Sequence, residues 1–178
     1  PRRGRAPPPS LRGRAALGQG RAGRCVSWVV ANTVTSAEFA NLAALVAHEE
    51  KQRLRISVAL PTLNEEETFA KVINVIRSRL MERVHLVDEL IVIDSNSTDR
   101  TREIVRQLGV PVYMHQELLP EVGPGRGKGE ALWKSLSVTT GDIVVWVDTD
   151  VSNFHPKFVY GLLGPLLFRP EIAFTKAF

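Results

Sequence analysis

Two aspartates, Asp148 and Asp150, come directly after the apolar run 143–147, which has the composition of a buried strand. In a parallel sheet, ligands bind at the edge formed by the carboxyl ends of the strands. Carboxylate oxygens there suit Mg²⁺ or Mn²⁺ beside a diphosphate. The pair therefore predicts a nucleotide or nucleotide-sugar site, with Asp150 as the metal ligand and Asp148 beside the ribose or a metal-bound water. A solvated turn is the alternative.

Three other polar loops follow predicted strands, at positions 61–65, 94–98 and 123–129. Because parallel strands all point the same way, these loops are expected to meet beside the two aspartates. The loop 123–129 (GPGRGKG) combines flexible backbone with two cations, which suits a diphosphate, and Lys128 is the better-placed cation. Its spacing is not that of a P-loop, and a mobile basic surface loop is the alternative.

The first two loops offer groups that suit a nucleoside. Pro61 and Leu63 are predicted to line a base and ribose pocket, in which Glu65 accepts hydrogen bonds from sugar hydroxyls. The alternative, preferred for the next two glutamates, is that these residues only cap a helix. The segment 94–99 (DSNSTD) supplies acceptors and hydroxyls for a base edge, and an Asx turn with a helix cap is the competing interpretation.

Strands and helices that position these loops alternate along the chain. The predicted strands are 56–60, 90–93, 110–114, 143–147 and 172–178, and the predicted helices are 36–51, 64–80, 97–109, 129–138 and one that begins at 155–156. This order predicts an α/β domain, Rossmann-like, with a mostly parallel sheet and helices on both faces. His155, followed by proline at a helix start, is interpreted as structural rather than as a second metal ligand.

Composition limits the remaining possibilities. With 178 residues, of which 44% are hydrophobic, the chain can bury one core. The net charge of +4 comes from seven arginines in the first 24 residues, since the remainder has 16 basic and 19 acidic side chains, or −3. No nucleic-acid partner is expected, because the interleaving of basic and aromatic residues typical of single-strand binders is absent. No segment approaches a membrane span, and the single cysteine, Cys25, favours a reducing compartment such as the cytoplasm.

These patterns divide the chain into three parts. Residues 1–34 are predicted to be a disordered tail rich in Arg, Gly and Pro, residues 35–53 a leading helix, and residues 54–178 a nucleotide-binding domain. Neither end has the pattern of a domain boundary, so the chain is interpreted as a fragment of a longer protein.

Residues 54–178 resemble the nucleotide-binding part of a GT-A glycosyltransferase. The segments that carry the resemblance are LPTLNEEET (60–68), DSNSTD (94–99), PGRGKGEALW (124–133) and GDIVVWVDTD (141–150). Together they are most similar to the family of glucosyl-3-phosphoglycerate synthases and their mannosyl relatives. The resemblance implies metal-dependent transfer of glucose from UDP-glucose to 3-phosphoglycerate with retention of configuration, using Mg²⁺ or Mn²⁺. It also implies a homodimer with no membrane partner.

The resemblance implies roles for individual residues. Those expected to bind the nucleotide-sugar donor are Pro61, Leu63 and Glu65 at the uridine end, Ser95 at the base, and Lys128, Asp148 and Thr149. Asp150 is expected to hold the metal. Two positions depart from the common pattern, Asn96 where Gly is usual and Thr149 where Ser is frequent, and the first is expected to alter the base pocket. The acceptor site and a histidine metal ligand are expected beyond residue 178.

Three alternative functions stay open at this point. One is another transferase of the same fold, such as an enzyme that moves mannose from GDP-mannose to 3-phosphoglycerate or to a polyprenyl phosphate. A second is a nucleotidyltransferase, which would release pyrophosphate. The third belongs to another class, a nucleotide-binding fragment or interaction module without catalytic activity.

Overall fold

The computed structural model describes residues 27–178, which fall into two units that divide between Val34 and Thr35. In the first unit, residues 27–31 are helical, although the sequence predicted no regular structure there. The prediction of disorder for residues 1–26 and the interpretation of Cys25 lie outside the described residues. No single helix in residues 27–178 is long and apolar enough to cross a membrane. Two helical segments joined at a bend, Ser27–Phe39 and Leu42–Gln52, reach the length and apolar composition of a membrane span only when they are counted together.

The second unit is built on a sheet of four parallel strands. They are β1 (Ile56–Thr62), β2 (Glu89–Asp94), β3 (Val112–Met114) and β4 (Ile143–Trp146), in the order β3-β2-β1-β4. The register pairs Thr62 with Asp94 and Asp94 with Met114, so β1, β2 and β3 end level with one another. The predicted parallel sheet is confirmed, and the loops that leave its carboxyl ends share one edge.

The second unit also contains five α-helices. They are α1 (Leu42–Gln52), α2 (Phe69–Ile76), α3 (Thr101–Gln107), α4 (Lys128–Ser135) and α5 (Lys157–Phe168). A π-helical turn, Arg77–Glu82, extends α2, and short 3₁₀ helices lie at Ser36–Phe39 and Pro120–Val122.

Both faces of the sheet are buried. On one face, Ala59, Ile91 and Ile93 pack with Ala131 of α4. Side chains alternate between faces along a strand, so Leu60 and Val92 point to the opposite face, and both are fully buried as well. Such two-sided burial explains why β1 and β2 are nearly continuous apolar runs, as parallel strands usually are.

The predicted leading helix differs from the observed one. The chain forms two helices instead, Ser36–Phe39 and α1, because Asn41 caps α1 through its side chain, which accepts a hydrogen bond from the Ala44 N–H at 3.2 Å. The two helices pack on α5 rather than on the sheet. Phe39 fits where Gly164 lacks a side chain, since a Cβ added there would lie 2.0 Å from the phenyl ring.

Two further predicted elements are wrong. The helix expected to begin at Asn64 begins at Phe69, because Asn64 has a left-handed backbone (φ 58°) and its groups bond to another loop. The fifth strand, expected over 172–178, is not formed. A strand needs a neighbour to satisfy its backbone groups, and this segment pairs with none of the four described strands.

Candidate functional site

A cavity of about 370 Å³ opens at the carboxyl ends of the strands, a size typical of small-ligand sites. The structure brings together every residue that the sequence assigned to the site: Pro61, Leu63, Glu65, Ser95, Lys128, Asp148, Thr149 and Asp150. These residues come from four separate loops. The predicted convergence of the loops on one edge is therefore observed.

The loops that follow β1 and β2 are bonded to each other. The Asn64 N–H donates to Ser97 Oγ at 2.9 Å, and the Thr98 N–H donates back to Asn64 Oδ1 at 2.8 Å. One residue further along, the Glu65 N–H donates to Thr101 Oγ1 at 2.9 Å. Glu65 thus has a fixed backbone position, although it lies in a loop rather than in the predicted helix.

Asp94 stabilises the second loop from inside. Its side chain is fully buried, and its Oδ2 accepts hydrogen bonds from the N–H groups of Asn96 at 3.0 Å and Ser97 at 2.9 Å. The Asx-turn interpretation is therefore confirmed for this residue. Asn96 is exposed, has φ 71° and does not line the cavity, so it supplies the left-handed backbone that Gly would otherwise provide.

The glycine-rich third loop is fixed against the first turns of α4. Lys134 of α4 is fully buried, and its Nζ donates to the carbonyl of Gly123 at 2.6 Å. The Glu130 side chain lies under Gly125, where an added Cβ would be 2.0 Å from the carboxyl carbon. The structure therefore gives this loop defined anchors, in contrast with a mobile surface loop.

The fourth loop presents its two aspartates differently. Asp148 is exposed and forms an ion pair with Lys128, which joins the third loop to the fourth. Thr149, between the two aspartates, is buried, and its hydroxyl donates a hydrogen bond to the Pro61 carbonyl at 3.4 Å. The backbone carbonyl of Thr149 accepts a hydrogen bond from Thr68 Oγ1 at 2.6 Å. This anchoring directs Asp148 and Asp150 into solvent at the cavity.

Negative charge is concentrated at this end of the cavity. Burial raises the pKa of the Glu65 carboxyl above its usual 4.5. The charges of Asp150, Asp99 and Asp148 raise that pKa further, in that order. Like charges that raise a carboxyl pKa favour a cation between them, so the donor chemistry fits Mg²⁺ or Mn²⁺.

The side chains alone do not complete a metal site. Within residues 27–178, no three His, Cys, Asp or Glu side chains group closely enough to hold an ion. His155 lies at the start of α5, where its Nδ1 accepts a hydrogen bond from the Lys157 N–H at 3.1 Å, as the structural interpretation predicted. Mg²⁺ commonly binds through one or two carboxylates plus water and substrate phosphates, and Asp150 suits that mode.

Substituting Glu65 with glutamine tests this electrostatic picture. The raised pKa means that the wild-type carboxyl contributes most to stability below the unfolded-state value near 4.5 and loses that contribution as the pH rises through the folded-state value. The variant is therefore expected to be more stable than wild type at pH 7, with the difference shrinking as the pH falls toward 4.5. Urea unfolding from pH 4 to 8 measures it. Glu67→Gln, exposed and outside the cavity, is the matched control.

Two cavity residues, His115 and Gln116, lie outside the four loops predicted from the sequence. Thr62, Gly125, Arg126 and Gly127 also line the cavity and belong to the predicted loops, although none of them was named individually as a donor-binding residue. His115 and Gln116 follow β3 directly, whereas the only loop assigned from the sequence to the end of that strand is 123–129, which lies further along the chain. The predicted topology could have identified both residues, because the third strand ends at the same edge of the sheet as the others.

The family model for glycosyl transferase family 2 matches residues 57–176, which contain all four loops of the cavity. The chain belongs to glycosyl transferase family 2. The resemblance inferred from the four sequence motifs is confirmed, and so is the predicted glycosyltransferase type of fold.

Two similar proteins are both named glucosyl-3-phosphoglycerate synthase. Glucosyl-3-phosphoglycerate synthase from Petrotoga mobilis is 52% identical over 141 residues, which are 79% of this chain and 43% of that protein. The enzyme of the same name from Mycobacterium tuberculosis is 52% identical over 123 residues, 69% of this chain and 37% of that protein. The chain thus spans less than half the length of these relatives.

Two solved structures illustrate the likeness of this chain to enzymes that act on phosphoglycerate, as their names state. Mannosyl-3-phosphoglycerate synthase from Rubrobacter xylanophilus aligns with a TM-score of 0.75 at 35% identity, over 80% of this chain and 46% of that one. A Mycobacterium tuberculosis glucosyl-3-phosphoglycerate synthase, crystallised with Mn²⁺, UDP-glucose and phosphoglyceric acid, aligns with a TM-score of 0.65 at 48% identity, over 72% and 44% of the two chains.

Proposed function

We propose that this chain is the donor-binding part of a glucosyl-3-phosphoglycerate synthase, which transfers glucose from UDP-glucose to 3-phosphoglycerate with retention of configuration. The observation that carries the proposal is the cavity, which gathers eight residues assigned from sequence motifs. The relatives add support, since two of them bear this name at 52% identity and a solved structure of one holds both substrates with Mn²⁺.

The charges around the cavity fit the diphosphate of such a donor. Arg126, Lys128, Asp148 and Asp150 all line the cavity, so the site offers cations for phosphate oxygens and carboxylates for a metal. We propose that Lys128 exchanges its ion pair with Asp148 for the diphosphate when the donor binds. Both partners are more than half exposed, so the pair is weak enough to give way to a diphosphate. When bound, Mg²⁺ or Mn²⁺ held by Asp150 offsets negative charge on the departing nucleotide.

In this proposal, the configuration of the transferred glucose is retained because the protein positions the acceptor, and no enzyme nucleophile takes part. We propose that the acceptor hydroxyl attacks the face of glucose from which UDP departs, and that the diphosphate helps to take its proton. The protein then contributes positioning and electrostatic stabilisation. An α-linked product, established by NMR of the purified glucosyl-3-phosphoglycerate, is expected. A β-linked product would rule this route out.

Calorimetric titration of the chain with UDP-glucose, with and without Mn²⁺, tests donor binding. Metal-dependent binding of UDP-glucose is expected, and GDP-mannose titrated in parallel is expected to bind at least about tenfold more weakly, a difference of 1.4 kcal/mol. Adding 3-phosphoglycerate to the longer protein that includes the expected acceptor site, and measuring UDP release, tests transfer. No binding of either donor by a folded chain contradicts the proposal.

One observation favours a second candidate, the mannosyl relative. The structure of the Rubrobacter xylanophilus mannosyl enzyme aligns with a higher TM-score, 0.75, than the Mycobacterium tuberculosis glucosyl enzyme at 0.65. The higher sequence identity of the glucosyl enzymes, 48% against 35%, outweighs it. A preference for GDP-mannose in the same titration would select the mannosyl activity. Cytoplasmic location and a homodimer remain predictions from the sequence.

A further inference from the structure

The part of the cavity nearest β3 contains polar atoms that have no partner. His115 is only 3% exposed, and neither ring nitrogen, Nδ1 nor Nε2, has a hydrogen-bond partner among the described residues. The next residue, Gln116, has a buried Oε1 that is also unpaired. Both residues line the cavity. Buried polar groups are nearly always hydrogen-bonded, and a ligand is one way to satisfy them.

The fold holds the backbone of His115 in place. The His115 N–H donates to the Asp94 carbonyl at 3.1 Å, which continues the ladder between β2 and β3. His115 is therefore anchored at the first position after β3, and Gln116 follows it in the turn. A polar ligand in the cavity can supply the hydrogen bonds that these side chains lack.

The strand order shows which part of a ligand reaches them. The carboxylates Asp148 and Asp150 follow β4, at one side of the sheet, and His115 follows β3, at the other. Three strand spacings separate these sides, about 14 Å. A nucleoside diphosphate with its diphosphate beside Lys128 and Asp150 then extends its base across β1 and β2 toward β3.

We propose that His115 and Gln116 bind the edge of the nucleotide base and select uracil over guanine, an inference that rests on the proposed donor site. Uracil presents two carbonyl acceptors on either side of one N–H donor. A neutral imidazole offers one donor and one acceptor, and a carboxamide offers both, so the pair can match that edge. Guanine presents a different pattern and a larger ring. A site built for hydrogen bonds rejects a ligand that leaves them unmade.

Binding of UDP, GDP and inorganic pyrophosphate to the whole chain, each with Mn²⁺, tests the inference by calorimetry. Pyrophosphate has no base and reports on the diphosphate end alone. His115→Ala and Gln116→Ala are each expected to weaken UDP binding about tenfold, the effect of one lost hydrogen bond, and to leave pyrophosphate binding unchanged. The preference for UDP over GDP should fall by a similar factor.

Matched controls come from outside the cavity. The His48 ring lies against Phe168, with centroids 4.0 Å apart and planes tilted by 50°. Gln107 on α3 is exposed and hydrogen-bonded to Glu103. His48→Ala and Gln107→Ala should bind all three ligands like wild type. Thermal unfolding shows whether each variant is folded. Gln116 is half-buried, so Gln116→Ala decides the question if His115→Ala does not fold.

Three results would overturn the inference, and they are distinguishable. Folded variants that bind UDP as tightly as wild type show that other groups recognise the base, while the donor site itself stands. Variants that lose pyrophosphate and UDP binding equally show that the pair supports the cavity without contacting the base. A wild-type chain that binds neither UDP nor UDP-glucose removes the proposed donor site as well.

Discussion

Replacing Asp150 with asparagine is expected to abolish the metal-dependent part of UDP-glucose binding. Asp150 is exposed at the cavity, and its charge contributes to the raised pKa of Glu65, so it belongs to the carboxylate group that favours a cation. Asparagine keeps the shape and one oxygen but removes the charge. Substituting residues that only contact a metal's ligands typically lowers metal affinity 10–100-fold, so substituting the ligand itself is expected to weaken UDP-glucose binding in Mn²⁺ about 100-fold or more. Calorimetry with and without Mn²⁺ measures it.

The matched control lies at the other end of the same strand. Asp142 comes just before β4, and its Oδ2 accepts a hydrogen bond from the Arg55 N–H at 2.8 Å, which an asparagine oxygen can also accept. Asp142→Asn removes one negative charge from β4 without touching the cavity, and it should bind UDP-glucose like wild type. If Asp150→Asn and Asp142→Asn bind UDP-glucose equally tightly in the presence of Mn²⁺, Asp150 is not the metal ligand.

The candidate site was more accessible to sequence reasoning than the helices around it. Parallel strands direct their following loops to one edge, so finding the apolar runs before Pro61, Asp94 and Asp148 was enough to predict that these loops meet. The start of α2 was harder. Three glutamates after Asn64 have the composition of a first helical turn, but the N–H of Asn64 and that of Glu65 bond to the second loop instead. Such long-range bonds have no signal in local composition.

The same limit explains two other differences. The pattern of residues 172–178 fits a strand, but a strand forms only when a neighbour pairs with it, and none of the described strands does. His115 was overlooked because a single histidine after a short strand has no motif. Its burial and unpaired nitrogens become visible only when β2 and β3 are placed side by side.

Replacing Asp94 with alanine is expected to cost about 3 kcal/mol of unfolding free energy. The Asp94 carboxylate is fully buried and accepts hydrogen bonds from two backbone N–H groups, and Arg102 Nε lies 3.9 Å from the same oxygen. Alanine leaves all three groups without this partner. Removing one member of a buried charged network typically costs 3–5 kcal/mol, and the lower figure applies because Arg102 is partly exposed. Urea unfolding followed by circular dichroism measures the loss.

Two further variants separate the charge of Asp94 from the loop that it stabilises. Asp94→Asn keeps an acceptor oxygen for the N–H groups, so its loss should be about half that of alanine. Ser97→Ala removes only the bond to the Asn64 N–H, so it should cost about 1 kcal/mol and weaken UDP-glucose binding by loosening the first loop. An Asp94→Ala variant within 0.5 kcal/mol of wild type, roughly the scatter of neutral surface changes, would contradict this account. The loop after β2 would then hold its shape through the Asn64 and Thr98 bonds alone, and Ser95 would keep its place at the cavity without a buried charge beneath it.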